Sequence, residues 1–168
     1  MTILVTGGAG YIGGHMALRL ADLGEDFVIV DDMSNGVEWA VPEGVELVRG
    51  SVGDSALMRD VIAANKIDTI IHYAATLIMP HLADDPLFYY RNNAVASCNL
   101  LQAAMDGGVK RFLYSGTSAV YGDPAVNPVG ETAAIVPKTP YGKSKLVLEH
   151  MLADAAAVSD LDYVVLRY

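Results

Sequence analysis

Tyr141 and Lys145 are four residues apart, a spacing at which a tyrosine and a lysine could form a general base. Residues at positions i and i+4 of a helix share one face, with Cβ atoms about 5–6 Å apart. Lowering a tyrosine pKa from about 10 to neutrality requires roughly 4 kcal/mol of phenolate stabilisation. One cation about 4 Å away supplies a comparable energy at an effective dielectric constant near 20. Taken alone, such a pair is more typical of a solvated helix face.

A second stretch with chemical potential is TGGAGYIGG, residues 6–14, which follows a short apolar run. It satisfies G-x-G-x-x-G, and Gly7, Gly10 and Gly13 also have the spacing G-x-x-G-x-x-G. Between a strand and a helix, such a loop directs the free N–H groups of the first helical turn at a bound anion. Glycines leave room for a pyrophosphate and for packing of the helix on the strand. The alternative is a loop whose glycines only permit tight packing.

Asp31 and Asp32 end the second predicted strand, 18 residues after Gly13. An acidic side chain near this distance from the glycines accepts hydrogen bonds from the adenosine ribose hydroxyls of a dinucleotide. A carboxylate there repels a 2′-phosphate. The sequence therefore favours NAD over NADP.

The elements that position these residues follow from short aliphatic runs alternating with longer helical patterns. We predict strands at residues 3–6, 27–31, 46–49, 69–73, 111–115 and 163–167, and helices at 11–23, 55–65, 86–106 and 140–157. Thr139 and Pro140 are suited to cap and begin the last helix. The order predicts an α/β fold: one Rossmann-type domain over residues 1–168, a doubly wound parallel sheet of about six strands with helices on both faces. Residues 122–139 form either an active-site loop or a surface connection.

Composition excludes several classes of function. The net charge of -9, without a basic cluster, argues against a nucleic-acid surface. No apolar run approaches the roughly 20 residues of a membrane helix. The single cysteine, Cys98, lies in an apolar helical stretch and is predicted to be a buried small hydrophobe. The four histidines are scattered, so we expect no metal site, and the residues after Met1 show no signal peptide, so we expect a cytoplasmic protein.

Six stretches in this order resemble the extended short-chain dehydrogenase/reductase family, most closely its UDP-glucose 4-epimerases, over the whole chain. They are residues 6–14, 31, 71–75, 92–93, 115–122 and 140–145. The resemblance implies that Tyr141 is the catalytic base and that Lys145 lowers its pKa and holds the nicotinamide ribose. It also implies that Thr117 hydrogen-bonds the reacting sugar hydroxyl.

The resemblance further implies which residues bind NAD. Tyr11 and Ile12 match positions that contact the pyrophosphate. The full set comprises Gly7, Gly10, Tyr11, Ile12, Gly13, Asp31, Asp32, Asn35, Gly36, Ser51, Val52, Tyr73, Ala74, Ala75, Asn92, Tyr141 and Lys145. Ser51 departs from the family, which usually has an aspartate there that reaches the adenine; the Val52 backbone or Asp54 are the possible substitutes. Leu77 stands where some epimerases carry a lysine.

The implied reaction is the interconversion of UDP-glucose and UDP-galactose by transient oxidation at C4, with the hydride passing to NAD⁺ and returning to the opposite face. Two alternatives stay open. Dehydratases and decarboxylases of this kind carry an acid just after the catalytic threonine, where this chain has Ser118 and Ala119. A non-catalytic NAD-binding fragment is the other, because relatives continue beyond Tyr168 into a nucleotide-sugar domain. The resemblance also implies a homodimer through the helices predicted at 86–106 and 140–157.

Overall fold

The six strands form a single parallel sheet. The protein is described here by a computed structural model that covers residues 1–77 and 85–168. The strands are β1 (Thr2–Thr6), β2 (Phe27–Asp31), β3 (Glu46–Arg49), β4 (Ile67–His72), β5 (Arg111–Ser115) and β6 (Asp162–Leu166). Their order is β3-β2-β1-β4-β5-β6, the Rossmann order, and all neighbours are parallel. The predicted fold class is confirmed, and the predicted strand ends differ by two residues at most.

The helices lie between consecutive strands. They are α1 (Tyr11–Leu23), α2 (Ser55–Asn65), α3 (Pro86–Tyr89), α4 (Ala96–Asp106) and α5 (Pro140–Ala157), with 3₁₀ turns at Glu38–Ala40 and Ser118–Tyr121. The helix predicted at 86–106 is instead interrupted by a π-helical segment, Tyr90–Val95. From the sequence we predict a continuous α-helix here, because π-helical turns are rare and occur mostly as single turns inside α-helices.

The hydrophobic core has one part on each face of the sheet. Side chains of a strand alternate between faces, so Leu4 packs with α2, α4 and α5 while Ile3 and Val5 pack with α1. Both parts are well buried, with Leu4 and Ile29 fully inaccessible to solvent. Full burial of one such side chain contributes about 1.5–3 kcal/mol. The core therefore fixes the strand ends on which the candidate site is built.

Cys98 is exposed on the outer side of α4, so the prediction that it is buried was wrong. The inward side of α4 is occupied by Leu100, Leu101 and Ala104, which pack on the sheet. Cys98 instead borders a shallow hollow between α4 and α5. The sequence predicts that Cys98 lies in an apolar segment, but it does not show on which side of the helix the cysteine lies.

Two searches of the described residues returned negative findings. None of their helices has the length and apolar character required to cross a bilayer. Residues 1–77 and 85–168 also contain no group of His, Cys, Asp and Glu placed to hold a metal ion.

Candidate active site

The glycine loop lies where the sheet topology reverses direction. β1 pairs with β2 on one side and with β4 on the other, so the loop after β1 is at the switch point of the sheet. In open parallel sheets this crevice beyond the carboxyl ends of the strands is the usual ligand site. The loops after β1, β2, β4 and β5 contain half of the predicted site residues.

Gly7 and Gly13 are required by the packing of the loop. Gly7 has φ +69° and donates its N–H to the Val30 carbonyl at 2.8 Å. A Cβ on Gly7 would lie 2.5 Å from the Ala74 nitrogen, and a Cβ on Gly13 would overlap the Gly7 carbonyl. These two glycines therefore let β1, α1 and the loop after β4 approach one another, as a dinucleotide-binding loop requires.

Gly10 is less closely packed than Gly7 and Gly13. Among the described residues, only the Gly7 carbonyl oxygen, at 3.3 Å, would lie within 4 Å of a Cβ on Gly10. Gly10 is the N-cap of α1, and no side chain of the described residues caps this helix. Its first turn lacks an acidic residue, so no negative side chain of that turn competes with an anion for the free N–H groups. This geometry fits a pyrophosphate.

Tyr11 and Ile12 are the first residues of α1, and both are accessible. Tyr11 is 84% exposed and Ile12 is 45% exposed. The Tyr11 ring meets the edge of the His15 ring at a centroid distance of 4.9 Å. Both residues are thus accessible at the start of α1, where the pyrophosphate contact is predicted.

Asp31 joins the glycine loop to the loop after β2. Its carboxylate is buried and accepts hydrogen bonds from the backbone N–H of Ala9 and of Met33, each at 2.9 Å. A carboxylate can accept about four hydrogen bonds, so acceptor capacity remains. Asp31 is thus held beside the loop with oxygens able to accept from ribose hydroxyls.

The rest of the predicted ribose loop is more exposed. Asp32 is exposed and accepts a hydrogen bond from the Ser34 N–H at 2.9 Å, so it shapes its own turn. Asn35 is exposed and Gly36 is half-buried. A Cβ on Gly36 would lie 2.8 Å from an Asp31 oxygen, so this glycine permits the close approach of the loop to Asp31.

The residues predicted to contact adenine follow β3, at the edge of the sheet. Ser51 is exposed, and its hydroxyl accepts from the Gly53 N–H at 3.1 Å. Val52 is buried in the core. Asp54 caps α2 by accepting from two backbone N–H groups at 3.0 and 3.1 Å. That role leaves Asp54 directed at its helix, which favours the Val52 backbone as the substitute for the missing aspartate.

The loop after β4 is half-buried over Tyr73, Ala74 and Ala75. The Tyr73 N–H donates to the Thr6 carbonyl at 2.9 Å, which continues the β1–β4 pairing toward the site. Ala74 is the residue whose backbone lies against Gly7. Exposed Leu77 ends the described part of this loop.

Asn93, which lies in the matching stretch 92–93 but was not among the predicted site residues, helps to form the site. Its buried side chain accepts from the Thr76 N–H at 2.7 Å and donates to the Thr76 carbonyl at 3.1 Å and to the Ser144 hydroxyl at 3.2 Å. It thereby ties the loop after β4 to α5. Predicted Asn92 is its half-buried neighbour in the π-helical segment. Two adjacent amides in an apolar helix were the available signal.

Tyr141 lies in the first turn of α5, beside Thr117. The predicted cap is confirmed: the Thr139 hydroxyl accepts from the Gly142 N–H at 3.0 Å, and Pro140 begins the helix. Burial raises the pKa of Tyr141, and a hydrogen bond with Thr117 lowers it in part. Thr117 is itself buried and caps the 3₁₀ turn that follows it. The geometry thus brings together the predicted base and its hydroxyl partner.

Lys145 is buried one turn further along α5, with 3% of its surface exposed. Its Nζ lies 4.6 Å from the centroid of the Tyr114 ring, and the Tyr114 hydroxyl donates to the Lys145 carbonyl at 3.1 Å. Within the part of the chain that the structure describes, the ammonium group has no hydrogen-bond acceptor. Burial lowers the pKa of Lys145 to about 7, and the charge of Glu149 partly opposes this shift. The site thus holds a buried cation available to a ligand.

Comparison with known proteins decides the family of this chain. Residues 3–168 match the NAD dependent epimerase/dehydratase family. The chain belongs to that family. The match includes the glycine loop, Asp31 and the segment from Tyr141 to Lys145, and it agrees with the Rossmann order of the strands.

Members of this epimerase/dehydratase family with high similarity are UDP-glucose 4-epimerases. One from Azospirillum brasilense is 44% identical over 166 residues, which is 99% of this chain and 48% of the relative. The Brucella ovis enzyme, solved in complex with NAD, is 39% identical with a TM-score of 0.94, over 99% of this chain and 51% of that one. The Thermotoga maritima enzyme, solved with UDP-glucose, is 32% identical with a TM-score of 0.95, over 100% and 55%. The chain spans about half the length of these relatives.

Proposed function

We propose that this chain is the NAD-binding and catalytic half of a UDP-glucose 4-epimerase. The observation that carries the proposal is the interaction of Tyr141 with buried Thr117, which lowers the pKa of the tyrosine, together with Lys145 buried one turn further along α5. This group lies at the same end of the sheet as an open glycine loop and a buried aspartate. Similarity to UDP-glucose 4-epimerases over the whole chain supports it.

The fit to NAD is supported by three features of the loops. The space above Gly10 and the free N–H groups of α1 suit the pyrophosphate. Asp31 retains acceptor capacity for the adenosine ribose, and its charge disfavours a 2′-phosphate. When bound, NAD would supply the hydride acceptor for sugar C4. The Brucella ovis relative was solved with NAD.

In the proposed mechanism the chain handles the proton and orients the sugar. Tyr141, as phenolate, takes the proton of the C4 hydroxyl, while the Thr117 hydroxyl hydrogen-bonds the same oxygen and the tyrosine. Because burial raises the pKa of Tyr141, the phenolate needs a nearby positive charge. Lys145, buried one turn further along α5, is the cation that we assign to this role, and its ammonium can also hold the nicotinamide ribose.

The dehydratase or decarboxylase alternative is less well supported. Those reactions need an acid just after the threonine, and Ser118 and Ala119 provide none. The Ser118 N–H donates to the Tyr168 carbonyl at 3.0 Å, and the Ala119 N–H donates to Thr117 at 3.2 Å. Their backbone groups therefore shape the turn that positions Thr117.

The test is conversion of UDP-galactose to UDP-glucose with added NAD⁺, run beside Tyr141→Phe, with NAD⁺ binding measured by calorimetry. We expect conversion by the parent protein, loss of conversion in the variant and binding in both. Binding by both without conversion by either would indicate a non-catalytic NAD-binding module. Absence of NAD⁺ binding would refute the proposal.

We also propose that the protein is a cytoplasmic homodimer that pairs through the outer sides of α4 and α5. A shallow hollow of about 320 Å³ between these helices is lined by Cys98, Gln102, Met105, Met151, Asp154 and Val158, together with the buried Leu101 and Ala155. Val158 is 79% exposed, and such apolar surface favours contact with a partner. Sedimentation of the protein beside Met151→Glu tests this: the variant should be monomeric where the parent is dimeric.

A further inference from the structure

Glu149 lies one turn beyond Lys145 on α5 and is buried, with 7% of its surface exposed. Its carboxylate is held by Arg167, which follows β6. The Arg167 Nε lies 3.2 and 3.1 Å from the two carboxylate oxygens, and Nη2 lies 2.6 Å from Oε2. This multidentate geometry fixes both the position and the charge of the carboxylate.

Arg167 also binds the turn that follows Thr117. Its Nη1 donates to the Tyr121 hydroxyl at 2.9 Å, and its guanidinium carbon lies 5.4 Å from the centroid of the Tyr121 ring. Tyr121 is the last residue of the 3₁₀ turn that Thr117 caps. One guanidinium group therefore connects α5, this turn and the end of β6.

A buried ion pair of this kind is weak evidence of stabilisation, because the desolvation of its charges offsets their attraction. Stabilisation of the fold therefore does not explain why Glu149 is buried, which points to a second effect of its charge. The buried charge nearest to it along α5 is Lys145, which lacks a hydrogen-bond acceptor among the described residues. The carboxylate of Glu149 favours the charged form of that lysine.

In the described part of the chain, two other titratable side chains interact with Lys145, namely His72 and Tyr114. His72 on β4 is neutral, because burial lowers its pKa to about 3. Burial raises the pKa of Tyr114 on β5 and the pKa of Tyr141 on α5, so both stay protonated. Glu149 is the anion of this set.

We propose that Glu149 is a positioning residue: held by Arg167, it keeps Lys145 cationic inside the protein and fixes α5 against the turn that follows Thr117. The electrostatic effect is independent of the reaction. Its catalytic consequence rests on the proposed epimerase function, in which Lys145 must be charged to stabilise the Tyr141 phenolate.

The direct test is the titration of the Lys145 ammonium by NMR in protein labelled at lysine ¹³Cε, with Lys145→Arg to assign the signal. Glu149→Gln removes the charge and keeps an oxygen for Arg167. We expect the pKa of Lys145 to fall by at least about one unit. At pH values above the pKa, the protonated fraction of Lys145 is then about tenfold smaller. Glu149→Asp, which retains the charge, should restore most of the shift. An unchanged Lys145 pKa in folded Glu149→Gln overturns the proposal.

If Glu149→Gln does not fold, a second variant tests the proposal. The double variant Glu149→Met with Arg167→Met replaces the whole ion pair by apolar side chains of similar length, an exchange that proteins often tolerate. It should lower the Lys145 pKa in the same direction, and no shift in this folded protein again overturns the proposal.

Activity of the complete protein separates positioning from structure. We expect Glu149→Gln to lower kcat about tenfold or more at pH 8, with less loss at pH 6 and with the KM for the UDP-sugar unchanged. A uniform loss at every pH together with a lower melting temperature would show a merely structural role. If the parent protein has no epimerase activity, the proposed function fails while the NMR titration still decides the role of Glu149.

Discussion

The Nζ atom of Lys145 lies 4.6 Å from the centroid of the Tyr114 ring, although its helix position is one turn from Tyr141. Attraction of a desolvated cation to an aromatic face contributes up to about 2 kcal/mol, which offsets only part of the cost of burial. A largely desolvated cation is a destabilising feature, and such features concentrate at functional sites.

Lys145→Met is therefore expected to stabilise the protein. Folding lowers the pKa of Lys145 from its ordinary value near 10.5 to about 7, so at pH 6 the folded state contains a buried charge that the unfolded state exposes to water. The variant should raise the free energy of unfolding by about 2–5 kcal/mol at pH 6, as judged from 1.36 kcal/mol per pKa unit.

The stabilising effect of Lys145→Met should depend on pH in a defined direction. Between about pH 7 and 10.5 the unfolded chain binds a proton at Lys145 that the folded chain does not, so the parent gains stability as pH rises. The advantage of Lys145→Met should then shrink from pH 7 to pH 9 in urea unfolding. Lys143→Met, at an exposed position of the same helix, is the control and should show neither effect.

Thr117→Val should impair the proposed reaction through the acidity of Tyr141. The Thr117 hydrogen bond lowers the pKa of Tyr141, so its loss leaves burial unopposed and the pKa rises further. The acidic limb of the pH–rate profile should move to higher pH, and kcat at pH 7 should fall about 10- to 100-fold. Thr117→Ser keeps a hydroxyl and should retain the parent profile. Equal profiles for the Val and Ser variants would rule out this role.

Asp31→Asn should weaken NAD⁺ binding far more than Asp32→Asn. Asp31 accepts two backbone hydrogen bonds that join the glycine loop to the ribose loop, and an amide cannot accept at both ends. Loss of a charged hydrogen bond costs about 1.5–3 kcal/mol, which corresponds to at least about a tenfold loss of affinity. Asp32 accepts a hydrogen bond only from the Ser34 N–H of its own exposed turn, so Asp32→Asn should change the NAD⁺ affinity by about twofold or less. Calorimetric titration compares the two, and equal losses would contradict the assignment.

His72→Gln should reduce the sensitivity of the fold to acid. His72 is fully buried, with Nδ1 2.6 Å from the Thr6 hydroxyl and Nε2 2.8 Å from the Ser97 hydroxyl. Burial lowers its pKa from 6.5 to about 3, so only the unfolded chain binds the proton between these values and stability falls as pH drops through that window.

Urea unfolding at pH 7 and pH 4.5 measures the effect. The parent should lose about 2–3 kcal/mol more than His72→Gln between these pH values, by the same conversion per pKa unit. His150→Gln, at an exposed position of α5, should lose as much as the parent. If His72→Gln also loses as much as the parent, His72 is not an acid-sensitive element.

Periodicity and capping residues were sufficient to predict most of the fold. The bounds of α1, α2 and α5 coincide with the predicted helices, because Thr139 and Pro140 mark one start and Gly10 another. β4 begins at Ile67, two residues before its prediction. A buried strand with no polar alternation gives little information about its ends.

The site was less predictable, because its contacts join distant segments. The spacing of Tyr141 and Lys145 correctly indicated one helix, but the direction of the lysine depends on Tyr114, which lies on β5. The pairing of Glu149 with Arg167 joins α5 to the end of β6, and no local pattern encodes it. Only tertiary packing determines such contacts.

The three hydrogen bonds of Asn93 restrict which residues natural variation can place there. Its amide accepts from and donates to the backbone of Thr76 while also donating to Ser144. Aspartate offers no donor, and leucine offers neither donor nor acceptor. Glutamine has both groups, but its extra methylene displaces them in a fully packed setting. We therefore expect asparagine to be retained at this position even where neighbouring residues of the helix diverge.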